Sequence, residues 1–324
     1  MYKISVVIPV YNVKTFVKRC ATSLMRQAFK DVEFIFVDDA STDGSIAILE
    51  NVVAQYPEND VRILHHEENK GLPAARNTGL SIAKGEYVFH CDSDDFVESY
   101  MLEKMYSAAK SCDADFVWCD WWLSYAQNER RMKMPKWDTP EEATKCMLSG
   151  GMKYNVWNKL VKRSLYVDNS IEFPTGHAMG EDMTMMMLCA CARKVAYVPE
   201  ALYHYVRTNE GAMTQRVTER QLVDVRYNVE RTTEFLLSRF GDLYRDEIAF
   251  LKLATKFPFL ISDDEEMLKL WKEWYRDVDD WIGKNPYESG RAKMLQKWAR
   301  DGHFWLIKIY YKIVYKFVYS LMYR

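Results

Sequence analysis

The sequence predicts an α/β fold: a Rossmann-like, mostly parallel sheet flanked by helices, followed by a helical C-terminal extension. Three observations carry that expectation. Apolar strand runs and 3.6-period helical patterns alternate through the first third of the chain. Carboxylates stand immediately past two of those strands, at Asp38-Asp39 and Asp92-Ser93-Asp94-Asp95, where an open α/β sheet binds its ligand. Beyond Val217 the pattern becomes helical and rich in Trp, Tyr, Lys and Glu.

The elements follow in order. Ile4–Val10 reads as a buried strand, cut short by Pro9 and Asn12. Residues 13–26 show helical spacing at Phe16, Val17, Cys20 and Leu24. Residues 33–37 form the second strand, after which Ser41 or Thr42 can cap a helix through Ile46, Leu49, Val52 and Val53. A short strand at 61–64 precedes a helix with Pro73 in its first turn, closed by Gly85. Residues 87–91 are the fourth strand, and the βαβ order demands right-handed crossovers. A helix at 98–110 and a strand at 115–122 come next. Residues 124–137 are polar and read as a mobile loop. Residues 147–215 are mixed, with an apolar helix from Met183 to Cys191. The helical region is interrupted at Pro258 and Pro286, and no internal repeat or low-complexity tract occurs.

At 324 residues the chain can bury a full α/β core. A formal charge of −2 with 28% charged residues gives no global field for nucleic acid, which is not expected as a partner. Seven scattered cysteines without a Cys-x-x-Cys pair point to reduced, packed thiols. The N-terminal run is too short for a signal peptide, so a cytoplasmic setting is expected. No uninterrupted stretch of ~20 apolar residues offers a membrane span.

The carboxylate clusters suit a nucleotide sugar and a metal. A diphosphate leaving group needs its developing charge neutralised, which a hard divalent cation held by one or two carboxylates does. Of the Asp92-Ser93-Asp94-Asp95 run, one Asp can bind ribose hydroxyls while another holds the metal; Asp94 or Asp95 can equally cap the next helix. Asp39 can accept from the imide N–H of uracil, or serve the turn before the Ser41 helix. Tyr11 can stack on a base and Asn12 can tie the loop, although Pro9 to Asn12 also reads as a plain turn. Arg76 can brace the carboxylates, touch the nucleotide, or lie solvated on its helix. Glu181-Asp182 is either a helix-start cap or the home of a general base. Lys159 and Arg207 can supplement a metal at a diphosphate. His204 could be a ligand, but a hydrogen-bonded structural histidine is the favoured reading.

Taken together, in this order, these segments resemble glycosyltransferase family 2, inverting enzymes with the GT-A fold. The resemblance covers residues 3 to about 215. It rests on Ser-Val-Val-Ile-Pro-Val-Tyr-Asn ending at Asn12, Val-Asp-Asp-Ala-Ser-Thr-Asp ending at Asp43, and Asn-Lys-Gly-Leu-Pro-Ala-Ala-Arg-Asn-Thr-Gly ending at Gly79. Asp92 to Asp95, Val-Trp-Asn-Lys-Leu ending at Leu160, Phe-Pro-Thr-Gly ending at Gly176, Gly180-Glu181-Asp182 and Tyr-His-Tyr-Val-Arg ending at Arg207 complete it. The resemblance implies that Pro9, Tyr11 and Asp39 hold the nucleoside, Asp92 sits near the ribose, Asp94 binds Mg²⁺ or Mn²⁺, and Asp182 is the base. Asn12, Arg76, Ser93, Lys159 and Arg207 complete the expected donor site. Ala40 departs from the family's usual Gly, and Pro73 from its frequent Val or Ser; only loop shape is affected.

The resulting expectation is a metal-dependent, inverting transferase. It would move a sugar from a nucleotide diphosphate sugar, a UDP-sugar first, to a lipid-linked or growing glycan in bacterial-type surface polysaccharide synthesis. A catalytic domain would span 1–215 (nucleotide half 1–122, acceptor half 123–215), a helical extension 216–302 and a tail 303–324. In the tail, Lys308, Lys312 and Lys316 alternate with aromatic and aliphatic residues and acids are absent after Phe304. That is the pattern of an interfacial helix on anionic lipid, placing the protein peripherally on the inner face of the cell membrane; a docked terminal helix or a dimer contact is the other reading. A nucleotidyltransferase would also use paired Asp, but a Gly-rich basic phosphate loop is missing. A non-catalytic sugar-nucleotide-binding protein would be expected to have lost a carboxylate. The oligomeric state is open.

Overall fold

The computed structural model describes residues 2–178, 180–207 and 218–314. The chain forms two compact units, one of Met1–Thr144 with Tyr154–Thr232, the other of Lys145–Lys153 with Thr233–Arg324. The expected boundary at 215 falls outside the described residues.

In the first unit, β1 (Ile4–Val10), α1 (Val17–Met25), β2 (Val32–Asp38), α2 (Ser45–Val53), β3 (Asp60–His65), α3 (Leu72–Ile82) and β4 (Tyr87–His90) alternate as expected. They are followed by β5 (Phe96–Val97), α4 (Met101–Cys112), β6 (Phe116–Ser124) and β7 (Glu129–Met132). After α5 (Pro140–Leu148), which runs into the second unit, come β8 (Lys159–Lys162), α6 (Arg163–Asp168), α7 (Thr184–Cys191) and β9 (Val195–Val206). α8 (Glu219–Phe240) crosses the second boundary between the units.

Among the described residues nine strands form one sheet, ordered β3-β2-β1-β4-β8-β6-β9-β5, with β7 paired to β6. β1 to β4 are mutually parallel. Every residue of β1 and β2 is buried, as expected for central strands covered on both faces. β8 runs antiparallel between β4 and β6, and β9 lies parallel to β6. α3 approaches β1 closely: a Cβ at Gly79 would stand 2.4 Å from Val7 Cγ1, so only glycine admits this packing.

Two expectations change. Residues 124–137 are not simply a loop, because β7 returns against β6 as a hairpin. Its sequence, Glu-Arg-Arg-Met, is nearly all exposed, so it lacks the apolar alternation that marks a strand. Buried charge holds it instead: Arg131 donates to Asp120 Oδ2 at 3.0 and 2.7 Å and to the Pro199 carbonyl at 2.6 Å. The mixed stretch 147–215 contains β8 and the twelve-residue β9. β9 hides its period because of a register shift opposite Asp120.

In the second unit, α9 (Arg245–Lys256) ends just before Pro258, and α10 (Glu265–Glu273), α11 (Gly290–Arg300) and α12 (Phe304–Tyr310) follow. The buried Lys256 ammonium lies 4.3 Å from the Trp271 ring and donates to Asp279 Oδ1 at 2.6 Å. α12 is docked within this unit through fully buried Ile307, the Phe304–Trp271 contact and a 2.8 Å Lys308–Glu265 ion pair. Trp305, Ile309 and Ile313 are exposed, one apolar stripe at i, i+4, i+8. Lys316, Phe317 and Leu321 of the expected tail lie outside the described residues. No helix among the described residues is long and apolar enough to cross a membrane.

The loops after β1 and β2 are knitted together. Asn12 Oδ1 accepts from Thr42 N–H at 2.9 Å, Val13 N–H donates to Ser45 Oγ at 2.9 Å and Lys14 N–H to Asp43 Oδ2 at 2.8 Å. Asn12, at φ 50°, tolerates the left-handed region. Ala40, at φ 62°, does not, since its Cβ crowds the backbone at a cost of about 1–2 kcal/mol. Ala40→Gly should therefore stabilise the protein by about 0.5–1 kcal/mol, part of the relief being offset by the freer unfolded chain. Urea denaturation checks this, and an unchanged or lower midpoint would refute the strain.

Candidate active site

The site is organised by α3. Gly71, at φ 87°, immediately precedes it and Pro73 lies in its first turn. Asp39, at the end of β2, holds the entry: its carboxylate accepts from Lys70 N–H and Gly71 N–H, each at 2.8 Å, and contacts His66 Nδ1 at 2.6 Å. His66 Nε2 in turn meets Thr78 Oγ1 at 2.9 Å. With its entry fixed, α3 directs Arg76 and Asn77 to different partners.

Arg76 is 1% exposed. It donates to Asp92 Oδ1 at 2.9 Å and to Glu181 Oε1 at 3.3 Å, and lies 3.7 Å from Asp182 Oδ1. Burial works against its charge, but the carboxylates of Asp92, Asp182 and Glu181 outweigh this and raise its pKa further. The solvated-helix reading of Arg76 is thus corrected; it braces the carboxylates. Asn77 makes a reciprocal pair with Phe173, donating to its carbonyl and accepting from its N–H, both at 2.8 Å.

The Asp92 to Asp95 run follows β4. Asp92 and Asp94 are partly exposed and Ser93 is buried. Asp95 is fully buried and structural: it accepts from Tyr203 O–H and from Val206 N–H, each at 2.7 Å, fastening this loop to β9. Tyr203 is stacked on Trp157 at 4.5 Å, and Trp157 on Tyr205 at 5.3 Å.

Glu181 and Asp182 form a short 3-10 turn after Gly180, whose φ of 89° reverses the chain there. Burial raises the proton affinity of both carboxyls; each also feels Asp92 in the same direction, while Arg76 opposes. Asp182 remains 28% exposed, and its Oδ1 accepts no hydrogen bond among the described residues. The preceding segment is clamped by α8. Asp224 Oδ1 lies 3.0 Å from His177 Nδ1, Asp224 Oδ2 accepts from Ala178 N–H, and Tyr227 stacks on His177 at 3.7 Å.

The remaining expected residues divide. Pro9 is buried in β1, Tyr11 is half-exposed beyond it, and Asn12 ties the loop as one reading had it. Asp39 already receives three donors, which leaves one of its roughly four lone-pair positions for a base. Lys159 does not present a surface cation. It is 1% exposed, donates to the Asn155 carbonyl at 3.1 Å and to Asn158 Oδ1, and burial lowers its pKa to about 7. Arg207 is exposed at the end of β9. His204 is structural, stacked 4.1 Å from Phe96 and held between Glu98 and Glu129. Sequence reasoning gave no role to Asn77 or Tyr203, although both stand in segments that carry the resemblance, and it missed His66 and Asp224, which carried no signal.

No three His, Cys, Asp or Glu side chains gather into a metal cage among the described residues. A partly exposed Asp94 beside Asp92 nevertheless suits Mg²⁺ or Mn²⁺, which protein sites often hold through one or two carboxylates with substrate phosphates and water completing the shell.

The pattern described as Glycosyl transferase family 2 matches residues 5–184. The glycosyltransferase GlyG of Streptococcus pneumoniae is 31% identical over 292 residues, 85% of this chain and 93% of that protein. The poly(ribitol-phosphate) beta-glucosyltransferase of Bacillus spizizenii is 33% identical over 89% of this chain, which spans 46% of that relative. Crystal structures of S. aureus TarS 1-349, in complex with UDP and with UDP-GlcNAc, align with TM-scores of 0.73 and 0.71. Each alignment covers 96% of this chain and 91% of the TarS 1-349 chain, at 20% identity, which establishes the GT-A fold. With the family pattern spanning over half of the chain and GlyG aligned over nearly its full length, the chain belongs to glycosyl transferase family 2.

Proposed function

We propose that the protein transfers a sugar from a UDP-sugar to a hydroxyl of a lipid-linked or growing surface glycan, with inversion at the anomeric carbon. One observation supports this above the rest: a single buried guanidinium joins Asp92, at the donor end of β4, to Glu181 and Asp182. A donor-binding carboxylate and a candidate base thereby share one ion cluster, the proximity that a single displacement needs. UDP is favoured because the TarS structures of this fold hold UDP and UDP-GlcNAc. A surface-glycan acceptor is favoured by the named substrate of the Bacillus spizizenii relative.

In this reading Tyr11 stacks on the base, the last acceptor position of Asp39 takes the uracil imide N–H, and Asp92 receives a ribose hydroxyl. Asp182 takes the acceptor hydroxyl's proton as that oxygen attacks the anomeric carbon opposite the departing diphosphate. A Mg²⁺ or Mn²⁺ held by Asp94 would neutralise charge on the diphosphate, with exposed Arg207 supplementing it. The experiment is nucleoside diphosphate release from a panel of nucleotide sugars. Asp182→Asn should slow transfer by ~10²–10⁴-fold with UDP affinity nearly unchanged in calorimetry; a parallel collapse of UDP binding would make Asp182 structural. Excess chelator, or Asp94→Asn, should abolish metal-dependent donor turnover, and full activity in chelator would remove the metal from the mechanism.

The exposed Trp305, Ile309 and Ile313 stripe, with Lys312 exposed beside it, supports contact with an anionic membrane surface. Since Ile307 is part of the fold, truncating the tail is a poor test. Replacing Trp305 and Ile309 with Ser should abolish sedimentation with anionic vesicles without lowering the unfolding midpoint. Undiminished vesicle binding would rule out this face.

A further inference from the structure

The buried Arg76 guanidinium answers to three carboxylates from two distant segments, Asp92 on one side and Glu181 and Asp182 on the other. We propose that Arg76 is the positioning residue that keeps Asp182 ionised and ready as a base, and that sharing its guanidinium with Asp92 links the base to the charge on the donor side. This rests on the reading of Asp182 as base.

Among the described residues, the groups that face the pair come from four places. Arg76 projects from α3, Asp92 from the end of β4 and Lys159 from β8, while Tyr154 and the Val156 N–H belong to the segment before β8. Burial drives Glu181 and Asp182 toward their neutral forms, and the Asp92 charge pushes the same way. Arg76 and Lys159 oppose this at Asp182, as does the Val156 N–H. Lys159 is itself buried with a pKa near 7, so its charge fades through neutral pH. Arg76 cannot lose its proton, so its charge persists across the working range. Two of its N–H groups are spent on Asp92 and Glu181, which fixes the guanidinium plane between the two sides of the site.

The signs follow from this arrangement. Without Arg76 the base holds its proton to higher pH, so the acid limb of the rate profile moves up. Without the Asp92 charge it moves down. A residue that only maintained shape would lower the rate at all pH values and leave the limb in place.

The test uses the full chain and UDP release from the accepted UDP-sugar, with water as acceptor, from pH 5 to 9. The bond from the anomeric carbon to the UDP oxygen breaks, the water oxygen bonds to that carbon, and the proton passes to Asp182. R76Q should raise the acid limb by about one to three pH units, and D92N should lower it. R76K, which keeps the charge and loses the fork, should lower the plateau with the limb close to wild type. Limbs that stay put, or that move in the same direction in R76Q and D92N, overturn the proposal. If R76Q does not fold, D92N decides alone: a limb that stays or rises overturns it. D182N separates the two claims. A limb that survives in D182N sinks the base reading itself, whereas a limb lost in D182N but unmoved by R76Q sinks only the role of Arg76.

Discussion

The structure depends on one buried charge. Arg76 takes its guanidinium out of water almost completely, which is costly unless opposite charges and hydrogen-bond acceptors surround it. Asp92, Glu181 and Asp182 supply them. Removing any one partner unbalances the others, so the loop after β4 and the turn before α7 have few ways to drift apart. The geometry of the site is therefore set by electrostatics at its centre, with packing at its edges.

Those edges are built to keep α3 in place. Gly79 lets the helix lie against Val7 of β1, the Asp39–His66–Thr78 chain secures its entry, and Asn77 grips residue 173 through both main-chain groups. On the far side, Asp95 and Tyr203 fasten the carboxylate loop to β9. Asp95 and Tyr203 are fully buried and hydrogen-bonded, the condition under which polar networks specify a single arrangement.

Much of the first half was legible in the sequence. The β1 to β4 alternation, the carboxylates at strand ends and the helix starting near Pro73 all stand where the patterns place them. These are local signals: period, turn residues and caps. What stayed hidden was long-range. Nothing near Arg76 in sequence tells a solvated helical arginine from a buried one, because its partners lie 16 to 106 residues away. Lys159 misleads for the converse reason, a polar residue in a motif that folds inward. β7 escapes notice because Asp120, not apolar alternation, holds it, and α12 reads as a free amphipathic tail although Ile307 ties it down.

The spread of these separations also orders events in folding. β1 and β2 are tied through contacts spanning about 30 residues, such as Asn12 to Thr42 and Val13 to Ser45, which close with modest loss of chain entropy. The Arg76–Glu181 contact spans 105 residues and must wait for most of the first unit to be made and collapsed. A chain emerging from synthesis can shape its first strands early, while Arg76 has only Asp92 within reach. The acidic turn at 181–182 arrives only after β1 to β8 have been made, so the ion cluster around Arg76 closes late, once most of the sheet is already in the chain.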